Sequence, residues 1–148
     1  MELSFSWFGP EDPVPLAHIR QIPGVRGIVS ALYDIPVGAA WPRFRLEQLA
    51  ETVSQAGLTL SVIESVPVHE DIKLGLPTRE RHAEPYCRSI EAMGAVGIPV
   101  LCYNFMPVFD WMRTDLARRL PDGSTALAYD DAALAGFDLS GGTGELPD

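Results

Sequence analysis

The sequence predicts a parallel β/α fold, and three observations carry that reading. Short apolar runs recur, each opening after a glycine, turning polar at its far end and stopping at a proline: Gly27 to Pro36, Gly57 to Pro67 and Gly97 to Pro107. Segments of helical character lie between these runs. Strand, polar tip and helix in repetition is the signature of a parallel β/α enzyme whose chemistry sits at the strand C-termini. The unit recurs about four times, whereas a closed eight-stranded barrel takes roughly 250 residues. The 148-residue chain therefore reads as the first half of a (β/α)8 TIM barrel.

Each element has its own local justification. Leu3 to Phe8 alternates apolar and small polar residues as a first strand, and Gly9-Pro10 ends it. Pro13 to Ile22 reads as a short helix, with Leu16, Ile19 and Ile22 at helical spacing and Pro23-Gly24 as its stop. Gly27 to Leu32 is the second strand, tipped by Tyr33-Asp34. Pro42 opens the next helix, Leu46, Leu49 and Val53 form its apolar stripe, and Gly57 follows its end. Leu58 to Glu64 is the third strand, and Ser65 to Pro77 a long polar loop. Thr78 is the expected N-cap of a helix with Tyr86, Ile90 and Met93 on one face and Pro85 early in it or kinking it. Val100 to Asn104 is the fourth strand.

The rhythm then changes. Residues 114–120 and 124–129 flank Pro121-Asp122-Gly123, a tight-turn signal, so 114–129 reads as a β-hairpin inserted after strand four. Asp130 to Phe137 starts another helix, and Gly141 to Asp148 has no element of its own. The domain expectation is one partial barrel over 1–148.

Composition excludes some partners. A net charge of −9 lacks the basic footprint of nucleic-acid binding and is repelled by anionic membranes. No run approaches the ~18 apolar residues of a membrane span, and the N-terminus has no basic segment or apolar core of a signal peptide. Cys87 and Cys102 make no disulfide framework and are expected to be reduced, buried packing residues. A cytoplasmic location follows as the expectation.

The strand tips are the candidate ligand-binding residues: Trp7 and Phe8, Tyr33 and Asp34, Glu64, Ser65 and His69, Tyr103 and Asn104. Aromatic faces suit the C–H surface of a sugar, and carboxylate, amide and imidazole suit its hydroxyls. Trp7, Phe8 and Tyr103 are equally readable as core. Glu64 follows a buried run, where desolvation would push it toward general-base range, or else it pairs with an arginine or a backbone amide. His69-Glu70-Asp71 fits no zinc motif, and three adjacent side chains do not converge on one ion without distorting the loop. It reads as a solvated acidic loop from which His69 alone reaches the site. His18 and His82 lie in helical patterns and are assigned exposed faces without a role.

Longer strings carry a resemblance. Gly27-Ile-Val-Ser-Ala-Leu-Tyr-Asp-Ile-Pro-Val-Gly38 followed by Trp41-Pro42, the run from Val62 to Pro77, and the run from Val100 to Trp111 closely resemble the mannonate dehydratase family. Arg113-Thr-Asp115 and the run from Leu120 to Asp130 extend the likeness over nearly the whole chain. The resemblance implies a xylose-isomerase-like barrel. It implies a hydro-lyase converting D-mannonate to 2-dehydro-3-deoxy-D-gluconate in hexuronate and glucuronate catabolism, with Mn²⁺ or Fe²⁺ as cofactor and a homo-oligomer at full length. Family members are more than twice as long, and their metal ligands and catalytic tyrosine are expected beyond Asp148. No metal ligand is therefore assigned in this chain, which is expected to be an N-terminal half, inactive by itself. Its substrate-facing residues, by strand-tip position, are His69 and Asn104, then Glu64, Tyr33 and Trp7. The alternatives are a metal-dependent sugar isomerase or epimerase on the same barrel, and a truncated, non-catalytic binding module.

Overall fold

A computed structural model describes residues 1–108 and 113–135. The chain divides into two compact units, one over 1–105 and the other from Met106 onward. The first unit carries, in order, β1 (Leu3–Ser6), α1 (Leu16–Ile19), β2 (Val25–Ser30), α2 (Arg43–Gln55), β3 (Thr59–Glu64), α3 (Glu70–Lys73), α4 (Arg79–Val96) and β4 (Val100–Cys102). The four strands form one parallel sheet in the order β1-β2-β3-β4. Its register pairs Phe5 with Ile28, Ile28 with Leu60, and Ile63 with Leu101. Strand neighbours in space are strand neighbours in sequence, each joined by a helical crossover, which is the arrangement of consecutive β/α barrel units.

The core lies between the sheet and its helices. Ile28 and Ile63 from the sheet, Leu46 and Val53 from α2 and Ile19 from α1 are fully buried there, with Met93 of α4 almost so. The other sheet face is polar around Gly27, where an added Cβ would collide with Glu2, Ser4 and Ser61 side chains. Glu2 folds over that face and accepts a hydrogen bond from the Ser61 hydroxyl. A methyl group at Gly27 would force these side chains to move aside.

Several expectations shift. The first helix is a single turn, because Pro15 occupies the N-cap and Ile22 already belongs to the turn leading to Val25. The polar loop after β3 contains the one-turn α3, whose N-cap is His69: its Nδ1 accepts the Asp71 amide at 3.1 Å. Thr78 does precede α4 but leaves its cap unmade, giving its hydroxyl to Asp71 instead. On α4 the core-facing stripe is His82, Tyr86, Ser89, Met93 and Val96, and Ile90 is 45% exposed on the neighbouring row. Two polar residues on the buried stripe disguise its phase. Pro85 sits well inside α4.

Both thiols are free, as expected, but the expected burial is overturned: both are exposed. Cys87 shares the outer row of α4 with Ile90, and Cys102 lies on β4, an outer strand of the sheet.

In the second unit, β5 (Asp115–Arg119) and β6 (Thr125–Ala128) pair antiparallel across a turn at Gly123, where φ is +86°. Leu120 accepts from Gly123, and Asp122 accepts from Ser124, closing the turn. The one-turn α5 (Asp131–Leu134) follows, capped by Asp130 through the Ala133 amide. Phe137 and the stretch 141–148 lie outside the described residues.

Candidate functional site

Parallel strands end on the same side, so the loops after β1 to β4 gather along one edge of the sheet. Trp7 follows β1 directly. Tyr33 lies shortly beyond β2, Glu64 ends β3, and Asn104 stands just past β4. The tips of β1 and β2 are tied together by two bonds: Trp7 N–H donates to Val29 O at 2.9 Å, and the buried Ser30 hydroxyl donates to Trp7 O at 2.7 Å.

Above them opens a cleft of about 460 Å³, walled by Trp7, Phe8, Tyr33, Asp34, Arg45 and Leu49 among others. Trp7 is only 4% exposed, so its indole is chiefly core and offers the cleft a wall. Phe8 and Tyr33 are both more than half exposed, with ring centroids 5.9 Å apart and planes tilted 41°. Tyr33 has its ionisation pushed upward, first by partial burial of the hydroxyl and then by the negative charges of Glu64 and Asp12, against a lowering hydrogen bond from Ser30. It is a persistent hydrogen-bond donor at neutral pH. Arg45 Nη2 donates to both oxygens of Asp34 at 3.0 Å, and this bond holds the Asp34 carboxyl below its ordinary range.

Glu64 is solvent-exposed. The desolvation expected from its place after a buried run is absent, because the strand's last residue turns out of the core. Across the sheet, Tyr86 of α4 has its ionisation raised by burial and then by Tyr103, whose ring beyond β4 is 66% exposed. Tyr103 and Phe8 are therefore rim residues, whereas Trp7 is core.

His69 lies in a second group that the sequence order conceals. Its ring stacks on His82 of α4 at a centroid distance of 3.5 Å and an interplanar angle of 5°. Asp71 stands at the edge of both rings, 3.5 Å from His69 Nδ1 and 3.4 Å from His82 Nε2. All three side chains are half-buried, between 21% and 28% exposed. The loop after β2 closes over them at Gly38, whose φ is +85° and where a Cβ would come within 2.8 Å of His82 Nδ1 and 3.1 Å of His69 Cδ2. His82 is thus half-buried and not exposed, with Asp71 at its edge. The donor atoms of the three lie within 4.8 Å of one another, but the Asp71 N–H takes the His69 Nδ1 lone pair and the parallel rings do not converge on one ion. His18 is exposed on α1. No local spacing could have revealed the pair, because α3 and α4 meet only through the fold.

Among the described residues no helix is long and apolar enough to cross a membrane. The family model described as D-mannonate dehydratase (UxuA) matches residues 1–144. A mannonate dehydratase of Streptococcus uberis is 58% identical over 147 residues, 99% of this chain and 42% of that protein. One from Streptococcus agalactiae serotype Ia is 56% identical over the same extent. The crystal structure of mannonate dehydratase from Streptococcus suis serotype 2 superposes with a TM-score of 0.90 at 57% identity, covering 93% of this chain and 40% of that one. The chain spans well under half the length of these relatives, and its four-stranded sheet corresponds to half of a barrel. With a match over nearly all its residues, the chain belongs to the D-mannonate dehydratase family.

Proposed function

We propose that this chain supplies strands one to four of an enzyme that removes water from D-mannonate, giving 2-dehydro-3-deoxy-D-gluconate. The observation that carries the reading is the family match over residues 1–144, joined to an edge where aromatic, phenol, amide and carboxylate groups gather. The reaction withdraws the proton beside a carboxylate and expels the neighbouring hydroxyl, so developing negative charge must meet a cation. Mn²⁺ or Fe²⁺ supplies that charge when bound. The strand tips here do not fit such an ion: Glu64 stands beside an amide, a phenol and an indole, the Asp34 carboxylate is held by Arg45, and His69 Nδ1 accepts the Asp71 amide. In this reading its ligands come from the remaining strands of the barrel.

The tips bind and orient. Tyr33 donates its hydroxyl, Asn104 donates and accepts through its amide, and Glu64 accepts from sugar hydroxyls. His69 adds an imidazole from the loop after β3, and Trp7 backs the cleft wall. The enzyme so proposed is a cytoplasmic homo-oligomer acting on a small sugar acid, with no nucleic-acid or membrane partner.

The test is formation of a 2-keto-3-deoxy acid from D-mannonate by the protein at its natural length, loaded with Mn²⁺. Asn104→Ala and Glu64→Gln should each lower kcat/KM by about tenfold or more, the scale of one lost polar contact to substrate. Interconversion of free aldoses without any keto-deoxy acid would replace this reading with a sugar isomerase or epimerase.

A further inference from the structure

We propose that His82 and Asp71 are positioning residues: they hold His69 as a neutral imidazole with its proton on Nε2, and that N–H is the donor His69 offers to the sugar acid. The inference rests on the dehydratase reading and adds to it the form in which this side chain acts. The first argument is the tautomer. His69 Nδ1 accepts the Asp71 N–H at 3.1 Å. That nitrogen therefore presents a lone pair and no proton, and in a neutral ring the proton then sits on Nε2. Asp71 Oδ1 lies 3.5 Å from the same Nδ1, too far to compete as a hydrogen-bond partner.

The second argument is the ring plane. His82 lies parallel to His69, with centroids 3.5 Å apart and an interplanar angle of 5°, so one whole face of the His69 ring is in van der Waals contact. The loop after β2 meets both rings at Gly38, where an added Cβ would come within 3.1 Å of His69 Cδ2 and 2.8 Å of His82 Nδ1. A lone imidazole at the N-cap of the one-turn α3 would turn about its side-chain bonds. Held by the Asp71 N–H on one nitrogen, by His82 on a face and by Gly38 at an edge, it keeps one orientation. A donor fixed before the ligand arrives loses less freedom when the ligand binds.

The third argument is the support of the support. Asp71 uses separate atoms for separate tasks. Its N–H holds His69, while its Oδ2 accepts the Thr78 hydroxyl and stands 3.4 Å from His82 Nε2. Asp71 thus joins α3 to the start of α4 and keeps His82 over the His69 face. The arrangement also limits what His69 can do. With Nδ1 committed to a backbone N–H and Nε2 protonated, the ring has no lone pair left for a substrate proton. It donates a hydrogen bond, and the proton beside the carboxylate passes to another group.

The experiment uses the protein at its natural length and has two readouts. Ring-nitrogen NMR spectra of the metal-free protein, recorded near pH ~8 where a free histidine is neutral, report which His69 nitrogen carries the proton. Turnover of D-mannonate with Mn²⁺ reports the use of that donor. Wild type should show His69 as a single tautomer with the proton on Nε2. His82→Ala should let the His69 signals average between tautomers and lower kcat/KM by about tenfold. His82→Phe keeps an aromatic face against His69 and should recover most of both losses. Similar thermal melts for the two variants show that orientation, and not the fold, is what His82→Ala removes. A wild type that forms no keto-deoxy acid from D-mannonate sinks the dehydratase reading and the sugar-acid role of His69 with it. An active wild type whose His69 carries its proton on Nδ1, or a His82→Ala variant equal to wild type in spectra and kcat/KM, overturns the positioning role alone.

Discussion

Replacing Ser89 by alanine should destabilise the protein by about 2 kcal/mol. Ser89 is fully buried on α4, and its hydroxyl has two duties. It accepts the Trp41 N–H at 2.9 Å and donates to Pro85 O at 3.0 Å. The Pro85 carbonyl has the helix's own bond to fall back on. Trp41, only 2% exposed, has no such reserve, so its amide would be stranded away from water. A buried donor left unmade costs about 1–3 kcal/mol, and the missing oxygen opens a void too small to add much. For a protein of roughly 150–250 residues this corresponds to a fall in Tm of about 2–4 °C per kcal/mol, and less in a larger one. The assay is a urea titration in which the midpoint drops while the slope m stays constant. Thr52→Ala is the control, since Thr52 makes a similar bond to Gln48 O at 2.8 Å on an exposed helix face and should stay within about 0.5 kcal/mol. A Ser89→Ala cost no larger than that of Thr52→Ala would refute the reasoning, because Trp41 would then have another acceptor.

Other perturbations test separate parts of the structure. Leu46→Ala and Ile63→Ala each empty a fully buried core position and should cost about 2–5 kcal/mol by denaturant titration. Gly38→Ala combines a φ of +85° with contacts of 2.8 and 3.1 Å to the histidine rings. It should cost at least about 1 kcal/mol and separate the His69 and His82 ring signals from their stacked positions. Tyr33 has a raised ionisation in the fold, so the unfolded chain ionises first. Its contribution is whole below about pH 10 and is lost as pH climbs through the folded value. Tyr33→Phe should flatten that alkaline decline. Asp34 has a lowered ionisation caused by Arg45, so its contribution exists above the ordinary carboxylate range and disappears as pH falls through the folded value. Arg45→Gln should return the Asp34 titration midpoint, followed by NMR, toward that of a free aspartate.

The repeating strand and helix units were legible in the sequence because their causes are local. An apolar run after a glycine and before a proline favours a strand whatever surrounds it, and Pro42, Gly57 and Gly97 punctuate the helices by backbone geometry alone. Asp122 and Gly123 likewise mark the turn that joins β5 to β6. The tips at Tyr33, Glu64 and Asn104 follow from strand direction. The rest depended on what packs against what. The stripe of α4 runs beside Ile90 and not through it because Ser89 and His82, both polar, occupy the inward row, and only Trp41 and His69 explain their burial. Cys87 and Cys102 look like core residues by type, yet one lies on the outer row of a helix and the other on an outer strand. Glu64 follows a buried run but turns outward at its end. His69, Asp71 and His82 meet because α3 folds back on α4 beneath Gly38. Sequence by itself thus determined the order, direction and tips of the elements, which backbone preference and hydrophobic period encode. Tertiary structure decided which polar side chains face each other, because contacts between distant segments are set by the packing of whole elements.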